Sequence, residues 1–295
     1  MTNKAFPTSH LKYSQQTTIQ VGHSPDPDDA FMFYAIAHNK INTQGLAFEH
    51  VIKDIETLNS WAMEGKLPIT AISLHAYAYV ADKYAILESG ASIGDKYGPI
   101  VVSKKSSSSQ ELSGKSIAIP GKYTTAALVL SMALENFNPI IIPFDKIIDA
   151  VLSNEVEAGL IIHEGQLTYN QYDLHKIIDL GEWWYDESGG LPLPLGLDVA
   201  RKDLGYIRMQ QVSQILKDSI HYAHEHREEA IKYALQYGRG LSTDLADQFV
   251  GMYVNNATLS MGEREKAGID ALLSRAYNAS LIPKKVTPEY INNSY

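Results

Sequence analysis

Five small or branched apolar residues, Ala158-Gly159-Leu160-Ile161-Ile162, run without a break and stop on His163 and Glu164. The run is short and carries no polar alternation, so it predicts a strand covered on both faces, as in a parallel α/β sheet. Open α/β sheets place ligands beyond the carboxyl ends of their strands. The first polar side chain there is a histidine, the residue best able to give or take a proton near neutral pH. His163 is therefore a candidate acid or base. The simpler alternative is a loop histidine hydrogen-bonded to backbone.

The same alternation of strand and helix recurs along the chain. Ile19–Gly22 reads as a strand opening into His23-Ser24-Pro25-Asp26-Pro27-Asp28-Asp29, a rigid loop and helix cap, with helix over Ala30–His38. Leu46–Val51 is a second strand. Asp54–Met63 is a helix closed by Gly65, and Thr70–Ser73 is a strand before the helical Leu74–Ala81. Pro99–Val102 is another strand, and the Ser106–Ser109 run reads as a loop or hinge.

A second β/α set follows, with strands at Ser116–Pro120, Pro139–Pro143 and Ala158–Ile162 and helices at Ala126–Leu134 and Lys146–Leu152. Beyond Gly190–Gly196 the pattern predicts helix almost to the end, with Ser260 and Glu263 as a capping box. Two β/α sets with two crossings between them predict an α/β protein of two lobes, with a central cleft and a two-strand hinge. That order resembles the type II periplasmic-binding-protein architecture; a generic doubly wound sheet is the alternative. Residues 1–103 and 197–295 would form lobe 1, and residues 104–196 lobe 2.

A chain of 295 residues buries enough surface for such a fold without covalent staples. It has no cysteine, which excludes disulfides, thiolate metal sites and a cysteine nucleophile. The formal net charge of −9 argues against a nucleic-acid partner. The pairs Lys104-Lys105 and Lys284-Lys285 read as solvated surface. No run approaches the ~20 apolar residues of a membrane span, so no membrane partner is expected. Met1–Gln20 has no signal-peptide core, which points to the cytoplasm and to a frayed tail before Ile19.

Gly121-Lys122-Tyr123-Thr124-Thr125-Ala126 sets two hydroxyls and free backbone N–H groups at a helix start, a ready site for an anion. Capping by Thr124 or Thr125 shares that geometry. The run lacks the P-loop spacing. The acids at Asp26, Asp28 and Asp29 fit helix capping or a polar ligand better than a hard metal, since the spacing is not that of an EF-hand. Ser73 ends a strand without a nucleophile elbow, so it is a hydrogen-bonding candidate, with His75 two residues on. Trp61, Trp183 and Trp184 are read as core rather than as a stacking platform.

Several of these residues fall into motifs of one family. Ser24-Pro25-x-Pro27-x-Asp29-x-Phe31, Pro120-Gly121-x-x-Thr124-Thr125-Ala126 and Gly159-Leu160-Ile161-Ile162-His163-Glu164 resemble the 1,4-dihydroxy-6-naphthoate synthase family of menaquinone synthesis by the futalosine route. Leu180-Gly181-x-Trp183-Trp184 and Leu191-Pro192-Leu193-Pro194-Leu195-Gly196 resemble it too, and the likeness runs from about Gly22 to about Ala257. The resemblance implies a lyase that takes cyclic dehypoxanthinyl futalosine to 1,4-dihydroxy-6-naphthoate, with no metal or organic cofactor. It makes His163 the catalytic base. Asp29, Ser73, Thr125 and Ala126 match positions that contact the substrate, a small carboxylate, and Ser24 and Thr124 beside them are further candidate contacts.

The chain departs from the family where Asp26, Asp28 and Ala30 stand for the expected Cys, Asn and Thr. Two rivals remain: a solute-binding protein of the same fold that does no chemistry, and the related chorismate dehydratase. The His-Glu strand end favours the synthase over the dehydratase.

Overall fold

Strand and helix alternate from Thr17 onward. The computed structural model describes residues 17–105 and 108–293. Strand β1 (Thr17–His23) leads into helix α1 (Pro27–Ala37), β2 (Leu46–Ile52), α2 (Ile55–Glu64), β3 (Ile69–Ser73) and α3 (Leu74–Val80). Strands β4 (Tyr84–Leu87), β5 (Ser92–Gly94) and β6 (Ile100–Ser103) follow. Next come β7 (Ser116–Ile119), α4 (Thr125–Ala133), β8 (Asn138–Ile141), α5 (Ile147–Leu152) and β9 (Ala158–Ile161). After α6 (Gly165–Thr168), β10 (His175–Asp179) and α7 (Leu180–Ser188) comes the long strand β11 (Leu193–Arg201). Helices α8 (Tyr206–Glu225), α9 (Arg227–Ala234), α10 (Thr243–Tyr253), α11 (Asn256–Leu259) and α12 (Glu263–Asn278) precede the short β12 (Tyr290–Ile291).

Local chemistry fixes several of these boundaries. Asp54 caps α2 by accepting the Thr57 N–H, and Gly65 ends it in the left-handed region at φ 72°. Asp179 caps α7 through the N–H groups of Gly181 and Glu182. Helix α12 starts two residues later than its Ser260-Glu263 signature predicts. Glu265 reaches back to accept the Gly262 N–H at 2.9 Å, so the capping carboxylate comes from the next turn.

Two sheets result. The larger runs β12-β4-β11-β3-β1-β2, with β5 also paired to β11; the smaller runs β10-β6-β9-β7-β8. Strand β6, read from sequence with the first set, pairs with β9 and β10 in the smaller sheet. Strand β11 overturns the expectation of helix directly after Gly196. It pairs antiparallel with β3 and β4 as far as Arg201. Its prolines hid it: Pro194 sits where the pairing with β5 shifts register, the kind of irregularity that admits proline into a strand.

The central strands β6 and β9 of the smaller sheet are buried on both faces. Val101 and Leu160 face one core, while Ile100, Val102 and Ile161 face another. The first of these cores runs through both sheets, joining Ile72, Tyr77 and Leu272 to Ile117, Leu128 and Trp184. A further core packs α1 and α8 against β1.

The chain leaves the larger sheet after Gly94 and returns to it at Leu193. The crossings touch. Leu180 N–H donates to Pro99 O at 2.9 Å, and a side chain at Gly181 would collide with the Tyr97 carbonyl. Of the sequence expectations in loops, Met1–Gln16, Ser106 and Ser107 lie outside the described residues. Ser108 opens a single 3₁₀ turn, with Glu111 accepting its N–H.

Candidate active site

A cleft of about 750 Å³, its open mouth included, lies between the sheets. The larger sheet supplies Ser24, Asp26, Asp28, Asp29, Ser73 and Gly90 to its walls. The smaller contributes Thr124, Thr125, Ala126 and Ile162. Pro99 comes from the first crossing and Leu195 and Gly196 from the start of β11, and Phe249 and Tyr253 close one side from α10. Six of the substrate-contact positions expected from sequence are thus brought together: Ser24, Asp29, Ser73, Thr124, Thr125 and Ala126.

Helix α4 points its first turn into the cleft. Both threonine hydroxyls are engaged internally. Thr124 Oγ1 accepts the Ala127 N–H at 3.2 Å and donates to Gly121 O at 2.9 Å. Thr125 Oγ1 donates to Leu195 O at 2.6 Å and accepts the His75 N–H at 3.3 Å, joining α3, α4 and the approach to β11. What this turn offers a ligand is its backbone N–H groups, which have no partner within the helix. A carboxylate already stands beside them: Glu56 of α2 accepts the Tyr123 N–H at 3.1 Å, and burial raises its pKa.

The loop between β1 and α1 gathers three acids, each in a different state. Asp29 Oδ2 accepts the Ser24 N–H at 2.5 Å; burial outweighs that bond and lifts its carboxyl to about 7. Burial, reinforced by the charges of Asp29 and Asp26, pushes half-buried Asp28 well above the ordinary range. Asp26 occupies the N-cap position of α1 without capping it. Its side chain instead accepts from Ser24 Oγ at 2.9 Å and pairs with Arg239 at 2.9 Å. The capping expected of these acids is therefore not what Asp26 does. Among the described residues no His, Asp and Glu side chains are grouped to hold a metal ion.

Ser73 lines the cleft, with its N–H donated to Asn59 Oδ1 at 2.8 Å and its Oγ accepting from Asn59 Nδ2 at 3.1 Å. His75 lies behind the cleft wall, its Nδ1 donating to Thr124 O at 3.3 Å. Trp184 is fully buried and donates to Pro192 O, as a core tryptophan should.

His163 sits at the end of β9, 8% exposed, with both ring nitrogens engaged. Nε2 donates to Phe144 O at 2.9 Å, and Nδ1 accepts the Gly165 N–H at 2.9 Å. A carbonyl only accepts and an N–H only donates, so the partners fix the tautomer: the proton is on Nε2 and the lone pair on Nδ1. Past the end of β9, Ile162 lines the cleft wall, whereas His163 turns toward Phe144, whose ring it meets edge-on at 5.3 Å. Glu164 Oε2 is 3.6 Å from His163 Nδ1.

Arg239, Phe249 and Tyr253 were not singled out from sequence. Phe249 and Tyr253 stand four residues apart on one face of α10, a spacing that reads equally as core. Tyr253 also donates to Gln166 Oε1 at 2.8 Å, tying α10 to the segment after His163.

Comparison with known proteins fits this geometry. Residues 19–278 match the menaquinone biosynthesis family. The 1,4-dihydroxy-6-naphthoate synthase of Thermus thermophilus is 40% identical over 273 residues, 92% of this chain and 99% of that one. Its namesake from Streptomyces coelicolor is 34% identical, over 90% of this chain and 95% of that one. A crystal structure from Archaeoglobus fulgidus is 50% identical, with a TM-score of 0.87 over 91% of this chain and all of that one. The alkanesulfonate-binding protein of Xanthomonas axonopodis, 14% identical, superposes with a TM-score of 0.70 over 92% of this chain and 96% of its own. That last likeness establishes the fold alone, a two-lobed periplasmic-binding-protein-like α/β architecture.

Proposed function

The chain belongs to the menaquinone biosynthesis family, whose curated members above are lyases, and from that premise we propose that it converts cyclic dehypoxanthinyl futalosine to 1,4-dihydroxy-6-naphthoate. The observation that carries the chemistry is the tautomer of His163. Its Nδ1 lone pair lies two residues beyond the end of β9, next to Ile162, which lines the cleft.

In the proposed reaction Nδ1 exchanges the Gly165 N–H for a sugar hydroxyl and takes its proton. The oxygen's electron pair forms a carbonyl as the neighbouring carbon–carbon bond breaks, and the bonding electrons pass into the ring that becomes aromatic. No redox partner is needed. The substrate carboxylate meets the N–H groups at the start of α4, in the manner of anions at helix N-termini.

The acids of the β1–α1 loop are compatible with that anion. Asp26 is paired to Arg239, and Asp28 and Asp29 are pushed toward their neutral forms. Closure of the two sheets about the crossings at Tyr97–Pro99 and Leu180–Gly181 would exclude water and align the base. A cytoplasmic location belongs to the same proposal. No helix among the described residues is long and apolar enough to cross a membrane.

One observation favours a second reading. His163 has no ring nitrogen free, as suits a protein that closes on a ligand without chemistry. Incubating the purified protein with cyclic dehypoxanthinyl futalosine, and following dihydroxynaphthoate by absorbance and mass, separates the two. Product establishes the lyase; binding without product leaves the second reading.

A further inference from the structure

Asp198 lies in the middle of β11, 1% exposed, and neither carboxyl oxygen has a hydrogen-bond partner among the described residues. Buried polar groups are nearly always bonded, so a buried acid with no partner calls for an explanation. Its surroundings point to the cleft. Its neighbours Gly196 and Leu197 line the cleft, as does Ala71, which stands opposite it on β3.

Gly90, another residue of the wall, lies directly against it. A β-carbon there would collide with Asp198 Oδ2 and stand 2.9 Å from Asp198 Cβ. Leu216 Cδ2 would stand 2.8 Å from the same β-carbon, so the absence of a side chain at Gly90, held at φ +96°, leaves the carboxyl behind the cleft wall with the Gly90 backbone and the Leu216 methyl group beside it.

We propose that Asp198 is a specificity-determining residue of the cleft, which takes a hydroxyl group of the bound ligand at the Gly90 end. This rests on the lyase reading, whose substrate carries sugar-derived hydroxyls. Burial, and to a lesser degree the charge of Asp29, holds the Asp198 carboxyl in its neutral form well above the ordinary range. A neutral carboxyl both donates and accepts, and so does an alcohol. The two satisfy each other in a dry site without a net charge. An ammonium group would instead draw Asp198 and Asp29 into their ionised forms, and would mark a different class of ligand.

The test is calorimetric titration of the full-length protein, Asp198→Leu and Asp198→Asn with cyclic dehypoxanthinyl futalosine and its singly deoxygenated analogues. Asp198→Leu should bind the parent about tenfold more weakly. Asp198→Asn, which keeps a donor and an acceptor, should stay within about threefold. One deoxy analogue should lose about tenfold against the native protein and nothing further against Asp198→Leu. A purely structural role would not produce that dependence on a single ligand hydroxyl.

Equal affinity in the native protein and Asp198→Leu, or stronger binding of an amino analogue than of the parent, overturns the proposal. If Asp198→Leu does not fold, Asp198→Ala takes its place in the same cycle. A native protein that binds none of these ligands defeats the lyase reading itself. The hydroxyl assignment is then decided by thermal shift with millimolar methyl β-D-riboside: a shift in the native protein that Asp198→Leu lacks supports it, and no shift in either overturns it.

Discussion

Arg239 forks onto Glu164, with Nη1 2.8 Å from Oε1 and 3.0 Å from Oε2. Its Nη2 reaches Asp26 Oδ1 at 2.9 Å and Pro25 O at 3.2 Å, and the guanidinium lies 4.6 Å over the ring of Phe144. Asp26 follows β1 of the larger sheet, whereas Glu164 follows β9 of the smaller. One arginine therefore ties the two sheets together at Asp26, a residue of the cleft wall, beside the histidine proposed as base.

Arg239→Gln should cut that tie and leave a buried Glu164 carboxylate without its cation. The expected loss is about 2 kcal/mol of unfolding free energy, less than the roughly 3–5 kcal/mol for breaking a fully buried pair because Arg239 is half-buried. Adding Glu164→Gln should recover most of it, since the stranded charge is then gone. Urea denaturation of the two single variants and the double variant closes the cycle.

Glu56 holds a carboxylate on the Tyr123 N–H, one residue ahead of the N-cap of α4, whose first turn an anionic ligand would use. Glu56→Gln replaces the carboxylate beside the Tyr123 N–H with a neutral amide. Affinity for the substrate should rise by about three- to tenfold, because repulsion of the ligand carboxylate by Glu56 is removed while the amide oxygen can still accept the Tyr123 N–H. Titration calorimetry reads this directly, and unchanged affinity would place the ligand carboxylate elsewhere.

Asp29 links binding to pH. Burial raises its folded pKa from 3.8 to about 7, so its contribution to stability is present below pH 3.8 and is lost as pH rises through 7. Above 7 its new charge also faces the substrate carboxylate. Affinity should therefore weaken between pH 6 and 8 in the native protein and stay flatter in Asp29→Asn, as measured by titration in a single mixed buffer.

His23 acts in the opposite sense. It donates through Nδ1 to Ser24 O and stacks on Phe33, and burial lowers its pKa from 6.5 to about 4. The unfolded chain takes up a proton below pH 6.5 that the folded protein refuses until about 4. Stability is consequently lost as pH falls through that window, by up to about 3 kcal/mol. Chemical denaturation at pH 7 and pH 4.5 should show the decline, and His23→Gln should lessen it.

Much of the fold was legible because its signals are local. The run at Ala158–Ile162, the Asp54 cap with Gly65, and the Thr124 turn each specify their element within a few residues. Strand β11 was not, because prolines that ordinarily end strands sit at a register shift that tolerates them. At the site, Ser24, Asp29, Ser73 and the α4 turn converge as their strand ends and caps imply. The direction of His163 was hidden in the turn after β9, where Ile162 rather than the imidazole lines the cleft wall. Arg239 and Asp198 carried no local signal at all. What each of them does depends on partners far away in sequence, or on having none.

The central claim is that His163 is the base of a lyase, and single-turnover kinetics of His163→Ala beside the native protein, with substrate affinity measured in parallel, tests it most directly. The account predicts a loss of turnover of at least about a hundredfold with affinity kept within about tenfold, since the missing interaction acts in the transition state. Native-like turnover in His163→Ala would contradict it and move the base to another residue of the cleft.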